Sequence, residues 1–118
     1  MAVKTKCIYD PVEREDGYRV LVMRYWPRGV KKDKVDIWEK ELGTPKELIK
    51  KWKAGSVSWK KFTQAYLASI SNQEEKITEL ARKSKRQTIT LLCSCRDADH
   101  CHRELLKKVL LEVKARQI

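Results

Sequence analysis

The chain of 118 residues is 42% hydrophobic and 36% charged, and this size and composition suit one globular domain spanning residues 1–118. The N-terminus lacks the apolar run of a secretory signal, and no stretch approaches the about 18 apolar residues that a membrane span requires. We therefore expect a cytoplasmic protein without a membrane partner. In that reducing compartment, its four cysteines are expected to be thiols or metal ligands rather than disulfides.

The formal net charge of +11 has two interpretations. Such a charge attracts nucleic acid and other polyanions. The lysines, however, are spread along the chain with acids between them, as in "KKDKVDIWEK" at residues 31–40. That pattern is typical of a solvated surface rich in ion pairs, as in proteins of heat-loving organisms. Because no helix-turn-helix, zinc-finger or RNA-recognition signature is present, the pattern favours the solvated surface, and a nucleic-acid partner is kept as the alternative.

Three segments of the chain are predicted to be strands. Residues 4–9, "KTKCIY", are short and partly β-branched, and an Asp-Pro pair ends them. Residues 18–26, "YRVLVMRYW", contain a continuous apolar run, which is typical of a strand buried on both faces. Residues 87–93, "QTITLLC", give the clearest strand pattern.

Five helices are predicted between and after these strands. The first covers residues 34–42, "KVDIWEKEL", and ends at a glycine. The third carries Trp59, Phe62 and Tyr66 at a spacing typical of a core-facing stripe. The N-caps expected for the second to fifth helices are Thr44 followed by Pro45, Ser56 or Ser58, Asn72, and Asp97 or Asp99.

The order strand, strand, helices, strand, helix predicts the fold class. A long helical connection between the second and last strands favours parallel pairing. We therefore expect an α/β domain with a small, mostly parallel sheet of about three strands flanked by helices, a helix-rich middle and a C-terminal helix.

A candidate site is expected where the strands end, because ligands of open α/β sheets bind beyond the carboxyl ends of the strands. The segments "MRYWPRG" at residues 23–29 and "CSCRDADHCHR" at residues 93–103 meet there. At about 100° per residue, His102 faces the sheet with the apolar side of the last helix, whereas His100 points toward solvent. The side chains expected to form this site are Arg24, Trp26, Arg28, Cys93, Arg96, Cys101, His102 and Arg103.

The first candidate chemistry is that of a thiol enzyme, with Cys93 or Cys101 as the nucleophile and His102 as a base. Nearby arginines and a helix N-terminus both favour the thiolate form of a cysteine. The spacing argues against a cysteine phosphatase, because that pattern requires an arginine six residues after the cysteine. The residue six positions after Cys93 is Asp99, and the one six positions after Cys95 is Cys101.

Two further chemistries remain open. No cofactor is predicted, and zinc is kept as an alternative, since Cys93, Cys95, Cys101 and His102 supply a Cys₃His ligand set, although their spacing differs from that of zinc knuckles. Alternatively, the arginines Arg24, Arg28, Arg96 and Arg103, with Trp26, bind an anion without catalysis. In the enzyme and binding interpretations the expected ligand is an anionic small molecule, either a nucleotide or a phosphorylated metabolite.

The segments "DGYRVLVMRYWPRGV", "WKKFTQAY" and "TLLCSCRDADHCHRELL" together resemble the YeaO-like proteins, a branch of a large family defined only as a domain of unknown function. The R-x-W-P-R-G loop and the late C-H-R motif carry the resemblance. It implies a small α/β fold in which this loop and the start of the last helix come together. Relatives often carry an acid at the position of Met23. The resemblance implies no particular reaction.

Overall fold

The structure is a computed structural model that describes residues 2–95 and 100–116. Within these residues the sheet has four strands in the order β1-β4-β2-β3, and every pairing is parallel. The strands are β1 (Val3–Cys7), β2 (Tyr18–Leu21), β3 (Ile37–Trp38) and β4 (Ile89–Cys93). The predicted α/β class with a parallel sheet is confirmed, with one strand more than expected.

Strand β4 lies inside the sheet and is paired along both of its edges. All of its residues are buried, and its last residue, Cys93, is in register with Cys7 of β1. The pairing continues past the strand ends, because Ile8 N–H donates to the Cys93 carbonyl at 2.8 Å and Val22 N–H donates to the Leu92 carbonyl at 3.0 Å. The carboxyl ends of β1, β2 and β4 therefore lie together at one edge of the sheet.

The two faces of the sheet are covered differently. Because side chains alternate along a strand, Val20 and Leu91 point to one face, where they join the larger core with buried side chains from all four helices. Leu21 and Leu92 point to the other face and pack against side chains of the loop at residues 22–36. The helices are α1 (Lys46–Lys53), α2 (Trp59–Ser69), α3 (Glu74–Arg86) and α4 (His102–Arg116).

The helix predicted over residues 34–42 is wrong. This segment contains the short strand β3, with a 3₁₀ turn on either side. Its backbone is held by β2, because Asp36 N–H donates to the Arg19 carbonyl and Glu39 N–H donates to the Leu21 carbonyl, both at 2.9 Å. Pairing with a neighbouring strand has therefore overridden the local helical pattern.

The other predicted helices are present, and their caps agree in part. Ser58 caps α2 as expected, since its Oγ accepts a hydrogen bond from Lys61 N–H at 3.2 Å. The predicted caps Asp97 and Asp99 of α4 lie outside the described residues. Two N-caps differ from expectation, with Pro45 in place of Thr44 and Gln73 in place of Asn72.

No helix in the described part of the chain is long and apolar enough to cross a membrane.

A buried ion-pair cluster connects the turn before β2 to the central strand. Asp16 and Arg19 are 4% and 5% exposed, and the Arg19 guanidinium donates to the Asp16 carboxylate. Lys6 Nζ lies 3.1 Å from Asp16 Oδ1. The Thr90 hydroxyl of β4 donates to the Asp16 backbone carbonyl at 2.6 Å. The Asp16 carboxylate is thereby paired with both cations, as burial requires, and these contacts fix the turn that leads into β2.

Gly17 provides a test of how β2 is set against β4. Its φ is +63°, and a Cβ at this position would lie 2.2 Å from the Thr88 carbonyl oxygen, which accepts the Tyr18 N–H at 2.9 Å. We expect Gly17→Ala to lower the free energy of unfolding by about 3 kcal/mol or more, because backbone strain and overpacking add. Urea denaturation measures this loss.

The matched control is Gly55→Ala. Gly55 also has a positive φ, +71°, but a Cβ there would meet nothing within 4 Å. We expect a loss of only about 1 kcal/mol, from the backbone conformation alone. Equal losses in the two variants would show that the close approach of Gly17 to Thr88 does not matter for stability.

Candidate functional site

The structure brings two thiols and an imidazole together at the carboxyl edge of the sheet. Cys93 ends β4, Cys101 directly precedes α4, and His102 is the first residue of that helix. The Sγ atoms of Cys93 and Cys101 are 2.9 Å apart, and Cys101 Sγ lies 3.9 Å from His102 Nδ1. The two cysteines are 2% and 3% exposed. The three residues predicted from the sequence as a catalytic group are therefore neighbours in space.

The sulfur of Cys93 faces three hydrogen-bond donors. The Cys101 sulfur lies 2.9 Å away, and its thiol is the donor when Cys93 is the thiolate. The backbone N–H of Cys95 donates to the same sulfur at 3.3 Å. The third donor is the Arg103 guanidinium, whose Nη1 lies 3.4 Å away. Such a set of donors is the environment that a thiolate requires, since the anion can only accept hydrogen bonds.

Arg103 is buried, with only 4% of its surface exposed. Its Nη1 also donates to the Cys95 carbonyl at 2.6 Å, and the Glu104 carboxylate lies 3.9 Å from its Nε. A buried guanidinium is stable only with a counter-charge nearby. The Cys93 sulfur is positioned to provide negative charge within hydrogen-bond distance of it.

These contacts divide the two thiols into an acidic one and a weakly acidic one. The hydrogen bond from the Cys101 thiol lowers the pKa of Cys93 to about 7, with further lowering by the Cys95 N–H and the Arg103 guanidinium, while burial acts in the opposite direction. The same hydrogen bond to Cys93, together with burial, raises the pKa of Cys101. Above about pH 7 the pair therefore carries one proton, which stays on Cys101.

His102 is fixed by its contacts with the strand end and the core. One ring nitrogen, Nε2, is hydrogen-bonded to the Val22 carbonyl at the end of β2, and the ring packs against Tyr66, with centroids 5.4 Å apart. Burial, together with the nearby charge of Arg103, lowers the pKa of His102 to about 4. The neutral ring must carry its proton on Nε2 to donate to a carbonyl, so Nδ1 is an acceptor facing Cys101.

The same three side chains could hold a metal ion. One ligand atom from each of Cys93, Cys101 and His102 lies within 4.8 Å of the others, and the His102–carbonyl bond is of the kind that orients zinc-bound histidines. Cys95, the fourth ligand in the predicted Cys₃His set, is not part of this cluster within the described residues. The positive charge of Arg103, 3.4 Å from Cys93 Sγ, opposes binding of a divalent cation at that sulfur.

The thiols lie on the wall of a cavity of about 560 Å³. Within the described residues its lining contains no aspartate or glutamate, so Cys93 is its one acidic group of lowered pKa and its other charged side chains are basic. Its basic side chains are Arg24, Lys46, Lys50 and Lys53, and its large aromatic side chains are Tyr25, Trp52 and Phe62. A cavity of this size can enclose a small ligand, and its lining favours an anionic one.

The predicted ligand-binding residues do not all surround this cavity. Arg24 lines it, donates to the Gly43 carbonyl at 3.2 Å, and has a buried Nε without a hydrogen-bond partner in the described structure. Trp26 instead packs beneath the opposite face of the sheet, where its Nε1 donates to the Val30 carbonyl at 2.9 Å. Arg28 is exposed and is not among the described lining residues. The predicted residue Arg96 lies outside the described residues.

Three lysines of α1 were not predicted to belong to the site. Their spacing indicates that they act together, because Lys46, Lys50 and Lys53 follow one another by four and three residues and so share one face of a helix. His100 was expected to point toward solvent. It is exposed, but its ring contacts Trp59 at a centroid distance of 5.1 Å and lines the cavity.

Comparison with known proteins identifies relatives over nearly the full chain. The model of a family described as the active DUF488-N3 subclade matches residues 3–114. The uncharacterized protein YeaO of Escherichia coli strain K12 is 39% identical over 104 residues, which cover 86% of this chain and 90% of YeaO. The uncharacterized protein Rv3073c of Mycobacterium tuberculosis strain H37Rv is 28% identical over 110 residues, or 92% of each chain. No solved structure matches significantly. The chain therefore belongs to the DUF488 family, as a YeaO-like member of its DUF488-N3 subclade.

Proposed function

We propose that this protein is a thiol-dependent enzyme in which the Cys93 thiolate attacks an anionic small molecule held in the adjacent cavity. The observation that carries the proposal is the set of three donors on a single sulfur, namely the Cys101 thiol, the Cys95 N–H and the Arg103 guanidinium. A cysteine that only fills space in a core behaves as a small apolar side chain and needs no such donors. The description of the matching family model as an active subclade also supports catalysis.

The lining of the cavity supports the substrate class. Three lysines and an arginine line the cavity and would pair with phosphate or carboxylate oxygens. The Trp52 ring provides an apolar wall suited to a flat ring such as a nucleobase. A nucleotide or a phosphorylated metabolite therefore fits the cavity. Bound there, its electrophilic atom would be attacked by the Cys93 sulfur, which forms a covalent intermediate as the leaving group departs.

Zinc binding by Cys93, Cys101 and His102 is the competing interpretation. It would require both thiols to be deprotonated beside a buried guanidinium, and the cation would compete with Arg103 for the Cys93 sulfur. Elemental analysis of protein purified without chelators distinguishes the two. The enzyme proposal expects well below one zinc per chain, whereas one tightly held zinc per chain would contradict it.

The thiolate can be tested through its dependence on Cys101. In the Cys95→Ser background, which keeps the backbone N–H donor, we expect Cys93 to be alkylated with an apparent pKa of about 7. Replacing Cys101→Ala removes the strongest donor and should move this pKa toward the ordinary value of about 8.5. Alkylation at pH 7 should then become about tenfold slower, with little change at high pH. The rate of iodoacetamide labelling against pH, followed by peptide mass mapping, measures both.

The matched control for this test is the Cys95→Ser variant with both Cys93 and Cys101 intact. Circular dichroism of the two variants verifies that each one is folded. If Cys93 in the control already titrates near 8.5 and removal of Cys101 changes nothing, the activated thiolate does not exist and the proposed function is wrong.

The cationic lining gives a second test, with two neighbouring lysines of α1. Lys50 lines the cavity, whereas Lys51 is exposed and is not among the described lining residues. We expect Lys50→Gln to weaken binding of ADP by about two- to fivefold, the effect of one exposed ion pair of about 0.4–1 kcal/mol. Lys51→Gln removes the same charge and should have less effect. Isothermal titration calorimetry measures both affinities.

Equal weakening by the two substitutions would assign the effect to net charge rather than to the cavity. The absence of any ADP binding by the unaltered protein at millimolar concentration would contradict a nucleotide as the ligand. Inorganic pyrophosphate, titrated in parallel, tests whether the cavity recognises phosphate groups without the base.

A further inference from the structure

We propose that Cys93 and Cys101 form a reversible disulfide, so that the candidate active site is also a redox centre in which Cys101 resolves an oxidised Cys93. The inference rests on the proposed function only for the reactivity of Cys93. It adds an oxidation chemistry, a second catalytic thiol and two classes of co-reactant, namely a hydroperoxide and a dithiol reductant.

The geometry points to Cys101 as the partner thiol. Its sulfur lies 2.9 Å from that of Cys93, whereas Cys7, which is in register with Cys93 across the sheet, directs its thiol to the Ser94 carbonyl at 3.7 Å. Cys95 contributes its backbone N–H to the Cys93 sulfur. Cys101 is the cysteine whose thiol the structure places against Cys93.

The first step is oxidation of Cys93 by a hydroperoxide. The Cys93 thiolate attacks the peroxide oxygen, the O–O bond breaks, and an alkoxide or hydroxide leaves and takes a proton from water. Cys93 thereby becomes a sulfenic acid, oxidised by two electrons. The Arg103 guanidinium, 3.4 Å from this sulfur, stabilises the attacking thiolate. Both cysteines line the cavity, whose volume of about 560 Å³ exceeds that of a small peroxide.

The second step forms the disulfide. The Cys101 sulfur attacks the Cys93 sulfur, the S–O bond breaks, and the hydroxide that leaves takes the Cys101 proton and departs as water. The neutral His102 ring presents Nδ1 as an acceptor 3.9 Å from Cys101 Sγ, so it can carry that proton during the attack. A dithiol reductant then transfers two electrons and two protons to restore both thiols. Because the Arg103 charge makes Cys93 a good leaving thiolate, we expect reduction to be easy.

The chain offers a direct mass-spectrometric test. Trypsin cleaves after Arg96 and so separates Cys93 from Cys101, which stay joined only by a disulfide. Reduced full-length Cys95→Ser protein is treated with a small excess of hydrogen peroxide and quenched with acid. We expect an intact mass lower by two hydrogen atoms, a disulfide-linked pair of peptides carrying Cys93 and Cys101, and recovery of the original mass with dithiothreitol.

Two variants in the same background isolate the roles of the thiols. Cys101→Ser should lose the linked peptides and accumulate a Cys93 sulfenic acid that dimedone traps, at least tenfold above the level in the parent. Cys93→Ser should show neither product. Unaltered circular dichroism in both variants verifies folding, and a Cys7→Ser variant should still form the Cys93–Cys101 link.

The outcomes separate this inference from the proposed function. If Cys93 alkylates rapidly near pH 7 but peroxide leaves it as sulfenic or sulfinic acid without the link to Cys101, the redox inference is overturned and the proposed enzyme stands. If Cys93 is slow toward both reagents, both proposals fail. One zinc per chain that protects both thiols from peroxide would also overturn the inference.

Discussion

The candidate site depends on the hydrogen bond between His102 and the Val22 carbonyl. Strand β4 is paired on both sides, so the end of β2 lies beside the end of β4, where Cys93 is found. The Val22 carbonyl at that end accepts a hydrogen bond from His102 Nε2, and this contact fixes the first turn of α4 against the sheet. Cys101, one residue earlier, is thereby held next to Cys93. The carbonyl of Val22, the residue that follows β2, thus fixes where the two thiols meet.

The charges of the buried Arg103 guanidinium and the Cys93 thiolate compensate each other. Arg103 is buried and needs negative charge nearby, while Cys93 has donors on its sulfur and a lowered pKa. His102 is neutral because burial disfavours its charged form. The centre therefore balances the Arg103 cation against the Cys93 thiolate, and further positive charge lies on the lysines that line the cavity. These lysines would compensate the charge of an anion in the cavity without displacing the buried pair.

The fold and the thiol cluster were predictable to different extents. The strands followed from apolar runs, the parallel pairing from the long helical connection before the last strand, and the inward direction of His102 from helical periodicity. All three can be read from contiguous residues and the order of the elements. The helix over residues 34–42 failed, since that segment is held by hydrogen bonds to β2 that no local pattern reveals. The α1 lysines were assigned to the solvated surface, because their helical spacing does not show that a cavity lies beside them.

The sequence by itself determined the small parallel α/β architecture and the family, and it concentrated cysteine, histidine and arginine at the end of one strand and the start of one helix. Short-range physics is sufficient for that, because periodicity and strand–helix order are properties of contiguous residues. Only the tertiary structure decided which of these side chains meet. In the folded chain, Trp26 lies at the opposite face of the sheet, and residues of α1 line the cavity. The Cys101 sulfur lies next to that of Cys93. Those contacts join residues on different elements, and their distances are set by packing rather than by position in the chain.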